Sequence, residues 1–108
     1  MDKSTSYDWN FNISKGVIES LSKIAVSEVD GICAIQKTEV YGDLFQKNTR
    51  LKRGIDMIID LYLDVSSDCN INNAAVKVQR KIISAVEQTT GIQPEYVNIY
   101  INDIIYHV

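Results

Sequence analysis

One histidine, one proline and two cysteines are all that 108 residues supply of the side chains most used for metal ligation, chain breaking and cross-linking. The histidine, His107, stands one residue from the end, so no histidine joins a serine or cysteine in a nucleophile arrangement, and a zinc site would lack ligands. Cys33 and Cys69 lie far apart with no C-x-x-C pair and are expected as packed or half-buried thiols in a reducing compartment. Long apolar runs are missing too. No stretch approaches the ~18 residues that cross a bilayer, and the opening Met-Asp-Lys-Ser-Thr-Ser-Tyr has no signal-peptide core, which points to a cytoplasmic protein. Phosphate-loop and dinucleotide glycine patterns are absent, and Gly16 reads as a small residue in a first helical turn. No excess of basic charge marks the whole chain, whose net charge is −3. Residues 36–54 hold Lys37, Lys47, Arg50, Lys52 and Arg53 against Glu39 and Asp43, a local excess of +3 that leaves −6 on the rest.

What the chain does have is alternation. In Gly54–Val65, Ile55, Met57, Ile59, Leu61, Leu63 and Val65 share one parity, while Asp56, Asp60 and Asp64 share the other with Ile58 and Tyr62. Side chains alternate across a strand, so this is a long strand with one apolar face, and a slip of one residue would bury three carboxylates. Tyr7, Trp9, Phe11 and Ile13 alternate with Asp8, Asn10 and Asn12 in a first, half-buried strand. Ser14 caps a helix to about Val29, with Val17, Ile18, Leu21, Ile24, Ala25 and Val29 as its apolar stripe, Ser22 facing water and Asp30-Gly31 ending it. Ile32–Ile35 reads as the start of a short strand. A mobile basic loop is expected over 36–54, long enough to suggest a role of its own.

After the turn cluster at Ser66–Asn73, a second helix is expected from about Asn73 to Thr90, with Ala75, Val78, Ile82, Ala85, Val86 and Thr89 on one face. Gly91 stops it. Pro94 resets the chain to extended, and Tyr96–Asn102 forms the last strand, Val97, Ile99 and Ile101 inward, with Ile104–Val108 extending it. The expected fold is therefore α+β, one domain over 1–108: a two-layer sandwich in βαββαβ order, a four-stranded sheet with both helices on one face. A ferredoxin-like split arrangement fits that order.

Asp56 and Asp60 lie four residues apart on one strand face, ~13 Å by the strand rise. Glycosidase carboxylate pairs need about 5–9.5 Å, so a solvated sheet face is the better reading. Asp68-Cys-Asn-Ile-Asn72 copies the opening of a calcium loop, but Asn73 and Gln79 stand where that loop needs glycine and glutamate. These residues read as an Asx-turn and cap for the second helix. No cofactor and no catalytic residue is expected.

Two surfaces remain. Ile58, Tyr62, Tyr96 and Tyr100 lie on the sheet face that the helices leave open and suit contact with protein. Lys47, Arg50, Lys52 and Arg53 with Lys77, Arg80 and Lys81 make an alternative anion-binding surface for nucleic acid or acidic lipid. The aspartates on the tyrosine face disfavour RNA there.

The segment from Ile13-Ser-Lys-Gly-Val through Val29-Asp-Gly-Ile32, together with Asn70-Ile-Asn, Ala85-Val-Glu-Gln-Thr-Thr-Gly-Ile92 and Val97-Asn-Ile-Tyr-Ile101, resembles the alkaline-shock-protein family of bacterial envelope stress response proteins. The likeness runs from Ile13 to near the end and rests on structural spacing. It implies a small cytosolic α/β protein with no known enzymatic activity, working in envelope or alkaline stress. Some members are held at the inner membrane face by a membrane-spanning partner, and others are tied to fatty-acid synthesis through acetyl-CoA carboxylase. This chain departs in its aromatic first strand, its asparagines at the second helix start and its loop without a glycine-rich run. The expected function is an interaction or scaffold module that docks to itself or to a membrane-anchored protein; regulation of the carboxylase is an alternative.

Overall fold

The computed structural model describes residues 13–42 and 57–106. Helix α1 spans Lys15–Ser27, strand β1 Ile32–Tyr41, strand β2 Ile58–Ser66, helix α2 Ile71–Thr90 and strand β3 Tyr96–Ile105. The expected first strand, Tyr7–Ile13, lies outside the described residues but for Ile13, as do Gly54–Asp56 of the central segment. Among the described residues the sheet has three strands in the order β1-β2-β3. β1 runs antiparallel to β2, and β2 parallel to β3.

The central strand has the expected faces. Met57, Ile59, Leu61, Leu63 and Val65 are all buried, with Val78, Ile82 and Val86 of α2 and Ile18 and Ala25 of α1 in the same core. Each such side chain removed from water contributes about 2 kcal/mol, which fixes the register of β2. The split arrangement is corrected: α2 joins two strands that pair directly, so no strand stands between β2 and β3.

Strand β1 is ten residues long rather than short and takes in Gln36–Tyr41 from the expected loop. Register shifts at Cys33 and at Gln36 each insert one extra residue. Ile32, Ile35, Thr38 and Val40 consequently face Val65, Leu63, Leu61 and Ile59, a spacing that hides strand alternation. Cys33 is exposed rather than packed, and Cys69 is half-buried; both are free thiols.

The Ser14 side chain accepts from the Val17 amide and caps α1 as expected, but the helix is turned about its axis. Its buried residues are Ile18, Ser22, Ala25 and Val26, while Val17 and Ile24 face water. Ser22 tolerates the core because its hydroxyl donates to the Ile18 carbonyl at 2.8 Å. In α2 the buried row is Ala74, Val78, Ile82 and Val86; Ala75 and Ala85 are half-buried and Thr89 is exposed. Asn70 caps α2, its Oδ1 accepting from the Asn73 amide at 3.0 Å, and Gly91 ends it at φ 77°.

Candidate docking face

With the core row of β2 committed to the helices, Ile58, Asp60, Tyr62 and Asp64 are sent to the opposite face. The two neighbouring strands complete rungs across it. Tyr41, Ile58 and Tyr96 form one rung, Glu39, Asp60 and Asn98 the next, and Lys37, Tyr62 and Tyr100 the third. A bulge on β3 then sets Asp64 against Asp103, with Asn102 as the extra residue.

At the centre, the rings of Tyr62 and Tyr100 stack with centroids 4.8 Å apart and planes 16° from parallel. Lys37 Nζ stands over the Tyr62 ring, 5.6 Å from its centroid. The structure thus brings together Tyr62 and Tyr100, with Ile58 and Tyr96 paired one rung away. Ile58 and Tyr62 are half-buried; Tyr96 and Tyr100 are exposed.

The aspartates are not a simple solvated row. Asp64 is only 7% exposed; it accepts from Asn102 Nδ2 at 2.9 Å and from Gln36 Nε2. Asp60 accepts from Asn98 Nδ2 at 2.9 Å. Amide side chains on both flanking strands thus serve Asp64, and one on β3 serves Asp60, in place of part of the water each carboxylate would otherwise hold. Asp56, the third of the row, lies outside the described residues.

Glu39 faces Asp60 across the strands and would repel it if unpartnered. Instead Lys37 Nζ lies 2.9 Å from Glu39 Oε2, and the Tyr41 hydroxyl donates to Oε1 at 2.8 Å. The Lys37 hydrogen bond, followed by that from Tyr41, holds the Glu39 carboxyl below the usual range. The same contact raises Lys37, and donation to Glu39 pushes the Tyr41 hydroxyl up to about 12. Tyr62 is raised by burial first and then by the charges of Glu39 and Asp60.

The anion-binding candidates are not gathered here. Lys47, Arg50, Lys52 and Arg53 lie outside the described residues. Lys77, Arg80 and Lys81 are exposed on α2, in the other layer, and Lys81 Nζ pairs with Glu28 at 3.1 Å. Among the described residues no cluster of three His, Cys, Asp or Glu side chains could hold a metal, and no helix is long and apolar enough to cross a membrane.

Sequence reasoning missed Asn98, Asn102 and Gln36 as carboxylate partners. The signal was present in two matching runs, Asp60-Leu-Tyr-Leu-Asp64 and Asn98-Ile-Tyr-Ile-Asn102, whose first four positions coincide when the strands are laid parallel, with Asn102 the bulge residue that still reaches Asp64.

Fold and face together define a two-layer α+β module with one sheet face packed against the helices and the other carrying a stacked, hydrogen-bonded side-chain lattice. Among curated proteins none matches the chain. The alkaline shock protein family, described as having a cell envelope-related function, matches residues 3–106, and the chain belongs to it. The resemblance drawn from the residues and this match name one family. Solved structures of MamM CTD variants share the fold: one superposes with TM-score 0.51 at 12% identity, covering 88% of this chain and 100% of that chain. A second MamM variant gives TM-score 0.51 at 10% identity over 89% and 100%. A copper form of the MamM CTD gives 0.50 at 10% over 88% and 100%. At these identities the likeness concerns architecture alone.

Proposed function

We propose that the chain is a non-enzymatic interaction module of the cell envelope, docking through the open sheet face around Ile58, Tyr62, Tyr96 and Tyr100 to a membrane-anchored protein. Membership of a family with envelope-related function supports the setting. The observation that carries the docking role is the Tyr62–Tyr100 stack at 4.8 Å, held on a face whose carboxylates already have protein donors. Stacked tyrosines give rigid, amphipathic contact area at little entropic cost. Carboxylates that already accept from protein amides reduce the desolvation that burial under a partner would otherwise incur. In this reading the protein stays in the cytoplasm and reaches the inner membrane face through its partner.

Crosslinking in bacterial lysate tests it. The unaltered chain should capture a membrane or envelope protein, and the double variant Tyr62→Ser with Tyr100→Ser should lose it. Recovery of ribosomes or nucleic acid alone, or of the same envelope protein by both chains, would refute the docking reading. Capture of acetyl-CoA carboxylase, with a changed rate when the domain is added, would favour the regulatory alternative.

A further inference from the structure

The two layers differ in charge. Helices α1 and α2 hold Lys15, Lys23, Lys77, Arg80 and Lys81 against Glu19 and Glu87, a net +3, while the other described residues hold Lys37 alone against eight carboxylates, a net −7. The docking face lies in the acidic layer and leaves the cations of the helix layer without a role. Lys81 is paired with Glu28 at 3.1 Å. Lys23, Lys77 and Arg80 are exposed, and no carboxylate among the described residues pairs with any of them.

The outward stripe of α1 adds a second feature. A surface helix of a globular protein turns charged residues to water, but Val17, Ser20, Ile24 and Ser27, spaced by three and four residues along one exposed side, carry no charge. Val17 is 42% exposed and Ile24 59%, and Val76, one turn before Arg80 on α2, is 41%. The Lys81–Glu28 contact sets the helices side by side, so Ile24, one turn before Glu28, and Lys77, one turn before Lys81, border the same seam. Aliphatic side chains and unpaired cations thus share one outer surface, on the layer opposite Tyr62 and Tyr100.

We infer that this helix surface rests on an anionic lipid bilayer, with Lys23, Lys77 and Arg80 against headgroup phosphates and Val17, Ile24 and Val76 at the boundary of the acyl chains. Charge complementarity chooses the sign of the occupant. Each Lys or Arg brought near an anionic membrane strengthens binding about fivefold, and three here have no protein partner to give up. The aliphatic residues choose its class. A nucleic-acid backbone would satisfy the cations and leave Ile24 in water, whereas a bilayer interface takes both. Such contact is shallow and reversible, and stable attachment takes a second signal, which a membrane-anchored partner on the opposite sheet face supplies. The inference shares with the docking reading only its setting at the membrane and uses none of its residues.

Flotation of the purified chain with lipid vesicles tests the contact. No partner protein is present, so a failure here leaves the docking reading standing. Vesicles of phosphatidylglycerol and phosphatidylcholine in equal parts should bind the chain at low salt ~tenfold or more better than phosphatidylcholine alone, and less well at physiological ionic strength. Lys77→Glu with Arg80→Glu should lower that binding at least ~tenfold, with the circular dichroism spectrum unchanged because both side chains are exposed. Ile24→Ser, which keeps every charge, should weaken it ~threefold or more. Lys52→Glu with Arg53→Glu makes the same charge change in the basic run at 36–54 and should leave the binding in place. Absence of flotation with the anionic vesicles at low salt overturns the inference. So does binding that the Lys52 and Arg53 changes abolish while the Lys77 and Arg80 changes spare it, or binding indifferent to Ile24→Ser. Tighter binding to a double-stranded RNA than to the vesicles, lost in the Lys77 and Arg80 variant, overturns it in favour of nucleic acid.

Discussion

Replacing Asn102 by alanine removes one of the two side-chain donors to Asp64, a carboxylate with 7% of its surface in water. Asn102 is itself exposed and sits at the β3 bulge, so the change deletes little packing. A hydrogen bond to an ionised acceptor contributes about 1.5–3 kcal/mol net, more than a neutral pair, because the charge it leaves behind is poorly solvated. A loss of about 1.5 kcal/mol or more is expected in urea unfolding at neutral pH, and a fall in Tm of about 6–12 °C for a domain of this size. Asn98→Ala, which bares the half-buried Asp60, should cost less, about 0.5–1.5 kcal/mol, since water can replace the lost amide there. Asp64→Asn removes the charge that makes Asn102 valuable. The double variant should therefore fall short of the sum of the single losses by about 1 kcal/mol. Additive losses, or a loss below about 0.3 kcal/mol for Asn102→Ala, would show that the Asp64–Asn102 contact is incidental.

Gly31 sits at φ 95°, and a Cβ there would lie 2.6 Å from Cys69 Cβ. Gly31→Ala should destabilise by about 2–4 kcal/mol, combining left-handed strain and overpacking, and pairing it with Cys69→Gly in a double-mutant cycle should recover the overpacking share. Asn70→Ala should cost about 0.5–2 kcal/mol through loss of the α2 cap, read by thermal unfolding. The Tyr41 hydroxyl, raised to about 12, favours the protonated fold: its contribution is intact below pH 10 and lost as pH climbs towards 12. Phenolate absorbance should show this late titration, and Glu39→Gln should move it back towards 10. The Glu39 carboxyl, held low, contributes above its ordinary value and loses that contribution as pH falls through its lowered one.

β2 could be read from its residues because burial on one side and carboxylates on the other leave a single register. The caps at Ser14 and Asn70 and the stop at Gly91 could be read because each meets a fixed backbone demand locally. β1 could not, since two extra residues break its alternation and its apolar members recur at irregular steps. The turn of α1 was equally hidden. A hydrophobic stripe favours the side with Val17 and Ile24, and only packing decides that Ser22, bonded to its own helix, goes inward instead. In α2, Ala74 and Ala75 are chemically identical, so sequence cannot choose between them. The four tyrosine-face residues were assigned to one face from parity alone, but their closeness depends on β2 and β3 pairing in parallel without an intervening strand. The split arrangement would have separated Tyr62 from Tyr100.

The direction of the shifted groups on the open face bears on what that face can do. Glu39 is held low, Lys37 is raised, Tyr41 is pushed up to about 12 and Tyr62 is raised. Each moves further from neutrality. Groups driven to the extremes keep one protonation state across the physiological range, so the pattern of donors and acceptors shown to a partner does not change with small pH swings. Lys37, Glu39 and Tyr41 fix one another in a chain of hydrogen bonds, and Asn98 and Asn102 fix the aspartates. A lattice of this kind is held in one arrangement by its own side chains, which lowers the entropic cost of any association at this face.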